Sequence, residues 1–314
     1  MSENNSKPSR RQFLGTAGLI GAGAVLASCA PATAATPGKA NLDIAVLNFA
    51  LNLEYLEAAF YLAAVGRLGE LDGIGGSAAI ILPTGTNSTQ KAFTGARDGK
   101  GMTFTNPDVA AYAQEIAQDE LNHVLFLRKV LKGAAVDRPV LDIGPAFGAA
   151  AKAATGVAGA AAFSPYDTEA QADLYFLHGA FIFEDVGVTA YKGAARLITD
   201  DSANGVLESA AGILAVEAYH AGQIRTILYA NRAKQTGFGV DVQTLIQKIS
   251  DLRGAVGGGK DQGLVLNGKG NINPTDADSV AFSRSTDEVL NIVYLGDKSK
   301  PGGFFPNGLN GAIK

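Results

Sequence analysis

The 314-residue chain holds three histidines, and two of them stand in the same local pattern, Glu120-Leu-Asn-His123 and Glu217-Ala-Tyr-His220. At i and i+3 on a helix, the carboxylate and the imidazole leave one face within reach of a single ion. One such pair arises by chance in any Glu-rich helix. Two of them, in a chain this poor in His, restrict the fold: each needs a long helix and partners facing it across a core.

Two further segments supply those partners. Glu54 is followed seven residues on by Tyr61, and Glu184 by Tyr191. Seven residues make about two helical turns, so each Tyr shares its Glu's stripe. The order Glu-then-Tyr, Glu-x-x-His, Glu-then-Tyr, Glu-x-x-His reads as the duplication of a helix pair. Periodicity and capping residues predict helices from Asn41 to about Val65, Asn106 to Lys132, Thr168 to Thr199 and Ser202 to Gln235. In the first, Leu47, Leu51, Glu54, Ala58, Tyr61 and Val65 share one face. Shorter helices are expected at Asp241–Leu252 and Ser285–Leu295, and the Ala/Gly tract from Ala149 to Ala162 is compatible with one more. Residues 69–106 and 133–168, rich in Gly, Pro, Ser and Thr, read as insertions, and convincing two-residue alternation is almost absent. The expected fold is all-α: a four-helix bundle over 41–235 with long inter-helix insertions, followed by a C-terminal extension over 236–314 of short helices and loops.

Four helices facing inward bring four carboxylates and two imidazoles into one core. Without counter-charge those carboxylates would repel one another in a low-dielectric interior, and two divalent ions would neutralise them. Carboxylate with imidazole suits Fe or Mn rather than a metal that seeks thiolate. The rest of the composition excludes other classes. A net charge of −4 gives no drive toward nucleic acid, and a single Cys forms no disulfide framework.

These residues resemble the ferritin-like superfamily and, more narrowly, the desiccation-related family. The narrower likeness rests on Asn52-Leu-Glu-Tyr-Leu-Glu57 with Phe60-Tyr61, on Phe183-Glu-Asp-Val-Gly-Val-Thr-Ala-Tyr191, and on the tail. The tail reads Thr286-Asp-Glu-Val-Leu290, Ile292-Val-Tyr294 and Lys300-Pro-Gly-Gly-Phe-Phe-Pro306. The resemblance covers about residues 41–314 and implies a ferritin-like bundle with a dinuclear site of two Fe or Mn ions. It assigns Glu54, Glu120, His123, Glu184, Glu217 and His220 as metal ligands, with Glu120 and Glu217 as bridges. Asp119 is expected to orient a histidine across the site, a support without a counterpart at Val216. Glu57, which the duplication pairs with Gly187, is read as supporting the site or solvated. Tyr61 and Tyr191 are core aromatics placed to hydrogen-bond near the metals. His178 and Glu115 lie off the ligand faces, and the glycines of 254–259 lack the Lys-Ser/Thr ending of a phosphate loop.

The N-terminus reads as an address. Ser9-Arg10-Arg11-Gln12-Phe13-Leu14 matches a twin-arginine signal, and an uncharged run from Gly15 to Ser28 follows, short for a membrane span but suited to a signal core. Leu26-Ala27-Ser28-Cys29 resembles a lipobox, which would lipidate Cys29; Ala32-Thr33-Ala34 offers ordinary cleavage instead. Residues 1–34 are thus an export signal and 35–40 a linker. The expectation is a protein exported by the twin-arginine machinery to the periplasm or cell envelope, with Cys29 as a candidate lipid anchor. There it would react with O₂ or peroxide, or oxidise Fe²⁺, as protection during oxidative or desiccation stress. The competing reading is a non-enzymatic envelope module whose metal only stabilises the bundle. A homo-oligomer is compatible with either, but the insertions argue against a closed storage shell.

Overall fold

A computed structural model describes residues 41–167 and 171–314; the export signal, Cys29 and the linker lie outside the described residues. Seven α-helices occur among the described residues: α1 (Asp43–Ala64), α2 (Pro107–Leu131), α3 (Pro145–Thr155), α4 (Ala172–Ala195), α5 (Val206–Ala230), α6 (Val242–Val256) and α7 (Thr286–Val293). Strand is confined to two-residue pairs, β1 (Ile80–Ile81) parallel to β2 (Leu141–Asp142) and β3 (Val265–Leu266) antiparallel to β4 (Lys269–Gly270). The fold is all-α, as the periodicity predicts.

The helix boundaries follow local chemistry. Asn106 caps α2 by accepting from the Asp108 amide, with Pro107 at the first helical position. Asp241 caps α6 through the Thr244 amide. Ser285 and Glu288 form a reciprocal capping box at α7. Helix α3 resolves the Ala/Gly tract: it opens on Pro145, closes on Gly156 in the left-handed region (φ 71°), and is followed by a 3₁₀ turn at Ala158–Ala162.

Within the bundle, α1 packs along α2 and α4 along α5. Helix α1 departs from the one-sided pattern expected of it, since 20 of its 22 residues are buried. The cause is the wrapping of its outer side by the insertions and the tail. Asn48 accepts from the Val136 amide at 2.9 Å and donates to the Ala134 carbonyl at 2.9 Å. Asn52 donates to the Asn310 carbonyl at 2.9 Å, while the Asn310 amide donates back to Asn52 Oδ1 at 3.0 Å. At its start, Asp43 accepts from Thr199 and Asp200, which fixes α1 to the α4–α5 link.

The extension is held by charge as well as by apolar packing. Phe304 sits with its ring centroid 5.1 Å from Phe147 and 4.9 Å from Phe183. Beside α4, Asp185 Oδ2 accepts from Arg225 and from Arg253, each at 2.8 Å. Arg253 also reaches Asp261 at 2.8 Å, and Asp261 takes Arg284 at 2.7 Å. None of the five side chains is more than 6 % exposed, so three guanidiniums and two carboxylates form an ionic seam between bundle and extension. No helix of the described residues is long and apolar enough to cross a membrane.

Candidate metal centre

The duplicated helix pairs bring Glu54 (α1), Glu120 and His123 (α2), Glu184 (α4), and Glu217 and His220 (α5) together in the bundle core. None of the six is more than 8 % exposed. Their donor atoms fall into two overlapping groups, Glu54–Glu120–His123–Glu217 and Glu120–Glu184–His220, within each of which they lie no more than 4.8 Å apart. Glu120 is common to both groups. Glu217 joins only the first.

Both imidazoles turn Nδ1 toward the carboxylates. His123 Nδ1 lies 3.2 Å from Glu54, 3.5 Å from Glu120 and 3.8 Å from Glu217. His220 Nδ1 lies 3.3 Å from Glu120 and 3.4 Å from Glu184. On its far side His220 Nε2 faces Asp119 Oδ2 at 3.3 Å, the cross-bundle relation that the position of Asp119 predicts. His123 has Val216, not a carboxylate, at the equivalent place.

The tyrosines cross over. Tyr61 donates to Glu184 and Tyr191 donates to Glu54, so each hydroxyl serves the carboxylate of the opposite half. Sequence spacing put each Tyr on its own Glu's stripe but could not show this exchange, which depends on how the two halves face each other. Glu57 is also drawn inside. It is 5 % exposed, so it is not solvated, although it stands outside both donor groups. His178 is set apart, fully buried and with Nδ1 on the Leu174 carbonyl, and burial holds it at about 4, uncharged. Glu115 is exposed.

The electrostatics show what the site wants. Burial raises Glu54 to about 7 against the opposing pull of His123. Burial and neighbouring carboxylates push Glu57 and Glu217 well above the usual range, and burial raises Glu184 as well. Burial also acts on Glu120, but the two imidazoles outweigh it and hold that carboxyl low. For the histidines burial works against the charged form, yet the surrounding carboxylates override it and raise each to about 12. Protons thus supply the positive charge that the carboxylates need. The hydrogen bonding is incomplete even so: both oxygens of Glu120, both of Glu217, Glu184 Oε2 and His220 Nδ1 are buried without a hydrogen-bond partner. A native core leaves few buried polar atoms unpartnered, and six of them gathered at one place call for an explanation. Oxygen and nitrogen lone pairs converging on one space fit a hard or borderline divalent cation.

The signature of the ferritin-like domain matches residues 42–230, and the chain belongs to the ferritin-like family. It is similar to the ferritin-like catalase Nec2 of Nesocodon mauritianus, 30 % identical over 302 residues, which is 91 % of this chain and 89 % of that protein. It is likewise similar to the desiccation-related protein PCC13-62 of Craterostigma plantagineum, 30 % identical over 287 residues, covering 86 % and 83 %. The likeness to the desiccation-related family read from the sequence is therefore shown. No solved structure matches significantly.

Proposed function

We propose that the protein is a dinuclear Fe or Mn enzyme that disproportionates hydrogen peroxide, two molecules yielding one O₂ and two waters, and so limits oxidative damage during drying or stress. The carrying observation is the overlapping pair of donor groups sharing Glu120, with donor atoms left unpartnered in a closed core. The name of the relative Nec2, a ferritin-like catalase that the chain matches over nearly its full length, supports peroxide over Fe²⁺ or O₂ as the substrate.

Glu54, Glu120, His123 and Glu217 would hold one ion and Glu120, Glu184 and His220 the other. Bound there, the metals supply exchange of two electrons with the substrate. The chain's own groups do the rest. Asp119 holds His220 with Nδ1 turned inward, and the two tyrosines occupy one oxygen each of Glu54 and Glu184. Burial excludes bulk water, and imidazoles and carboxylates that hold protons without metal release them on loading.

Elemental analysis after metal-replete expression should find about two ions per chain. Peroxide should then disappear with release of O₂, and Glu120→Ala should reduce the rate to background. Metal-loaded protein that leaves peroxide untouched would favour the alternative of a structural metal in a protective envelope module. The twin-arginine segment further supports export to the periplasm or envelope, with Cys29 as the anchor; Cys29→Ala should then move the protein from the membrane to the soluble fraction.

A further inference from the structure

Where α2 and α4 begin and α5 ends, the bundle holds a cavity of about 490 Å³. Asp173, Asn231 and Lys234 give it polar walls, and Val109, Leu177 and Ile227 an apolar lining. At the opposite end of the bundle, beside Tyr191, the void between α1, α4 and α5 is about 20 Å³.

The apolar lining stands in register with the centre. Leu177 precedes Glu184 by seven residues and Ile227 follows His220 by seven, in each case two helical turns or about 10 Å. Val109 precedes Glu120 by eleven, about three turns along one stripe. Between lining and ligands those stripes carry Ala113 and Ala117 on α2, Ala180 on α4 and Ile224 on α5, none more than 2 % exposed. Phe181, the bulky neighbour on α4, is engaged elsewhere, its ring under the Arg225 and Arg253 guanidiniums of the ionic seam. Little side-chain bulk therefore separates the cavity from the ligands. At the inner end, Glu184 Oε2 and His220 Nδ1 are the buried atoms without a hydrogen-bond partner on α4 and α5 stripes. Both belong to the donor group of three, which leaves an ion more positions free than the group of four.

We propose that this end of the bundle is the entrance to the centre: hydrogen peroxide collects in the cavity, passes Leu177 and Ile227, and moves along the alanine-lined stripes to Glu184 and His220. Each passage needs a brief displacement of the lining side chains, since the stripes are closed to solvent in the resting fold. The inference rests on reading the cluster as a peroxide-consuming metal centre.

Stopped-flow binding of azide to the Co²⁺-loaded full chain tests it, read by the ligand-field absorption of the bound ions. A change confined to the path alters entry and exit alike and leaves the equilibrium constant where it was. Ile227→Ala, which opens the lining, should raise both rate constants by at least about threefold at unchanged Kd. Ala113→Leu, which fills the stripe, should lower both. Ile213→Ala is the control: Ile213 precedes His220 by seven residues, the same distance toward the opposite end, and its loss should change neither rate. Thermal unfolding and elemental analysis show that each variant folds and loads, and Ile227→Trp, which plugs the cavity from its wall, replaces Ala113→Leu if that variant does not fold. Wild-type rates in both path variants, an equal effect of Ile213→Ala, or a loaded wild-type chain that takes up no azide would overturn the proposal and leave the metal centre standing. A wild-type chain that binds no Co²⁺ would overturn both.

Discussion

Asp119 on α2 and His220 on α5 meet across the bundle, carboxylate oxygen to imidazole Nε2, at 3.3 Å. The contact keeps a proton on Nε2, so that Nδ1, facing Glu120 and Glu184, is the nitrogen left to bind metal once it gives up its own proton. Asp119→Ala should leave the fold intact and lower metal affinity about 10- to 100-fold, as loss of a group supporting a ligand does. Calorimetric metal titration beside circular dichroism checks this.

The metal-free protein should be most stable in mild acid. His123 and His220 rise from 6.5 to about 12 on folding, so their stabilisation is complete below 6.5 and is lost as pH climbs through about 12. Glu54, raised from 4.5 to about 7, acts in the same direction between those values. The native state binds more protons than the unfolded chain, and stability falls with rising pH. Metal should reverse the trend, because ligands bind it deprotonated. Melting temperatures from pH 5 to 9, with and without Mn²⁺, give the comparison; a metal-free melting temperature that rises with pH would contradict it.

Asp185→Ala should cost about 3–5 kcal/mol, because it strips Arg225 and Arg253 of their shared buried carboxylate. Asp72→Ala is the contrast. It removes a 2.6 Å pair with Arg97 whose side chains are 62 % and 45 % exposed, and it should cost no more than about 1 kcal/mol. Urea denaturation of the two variants measures both.

Tyr61→Phe and Tyr191→Phe should each destabilise the metal-free protein by about 1–3 kcal/mol, the range for leaving a buried acceptor unpaired. Both should keep the wild-type number of ions, since neither removes a metal ligand. Elemental analysis and denaturation together check the pair.

Much of this site was legible because its logic is local. Glutamate and histidine three residues apart reveal a shared helix face, and two such pairs reveal the bundle. What stayed hidden depends on contacts distant in sequence. Glu57 has the same three-residue offset from Glu54, but its burial goes with the wrapping of α1 on its outer side. The ionic seam of Arg225, Arg253 and Arg284 with Asp185 and Asp261 gave no signal, since isolated charges in helices usually face water. Helix α3 was obscured by composition, because Ala and Gly carry little periodicity to read.

The reciprocal hydrogen bonds of Asn52 and Asn310 join the helix that carries Glu54 and Glu57 to a residue 258 positions further along the chain. A ribosome building this protein therefore makes α1 258 residues before the residue that pins its outer side. The order of synthesis thus makes this contact a late one, formed after all four long helices of the bundle have been made.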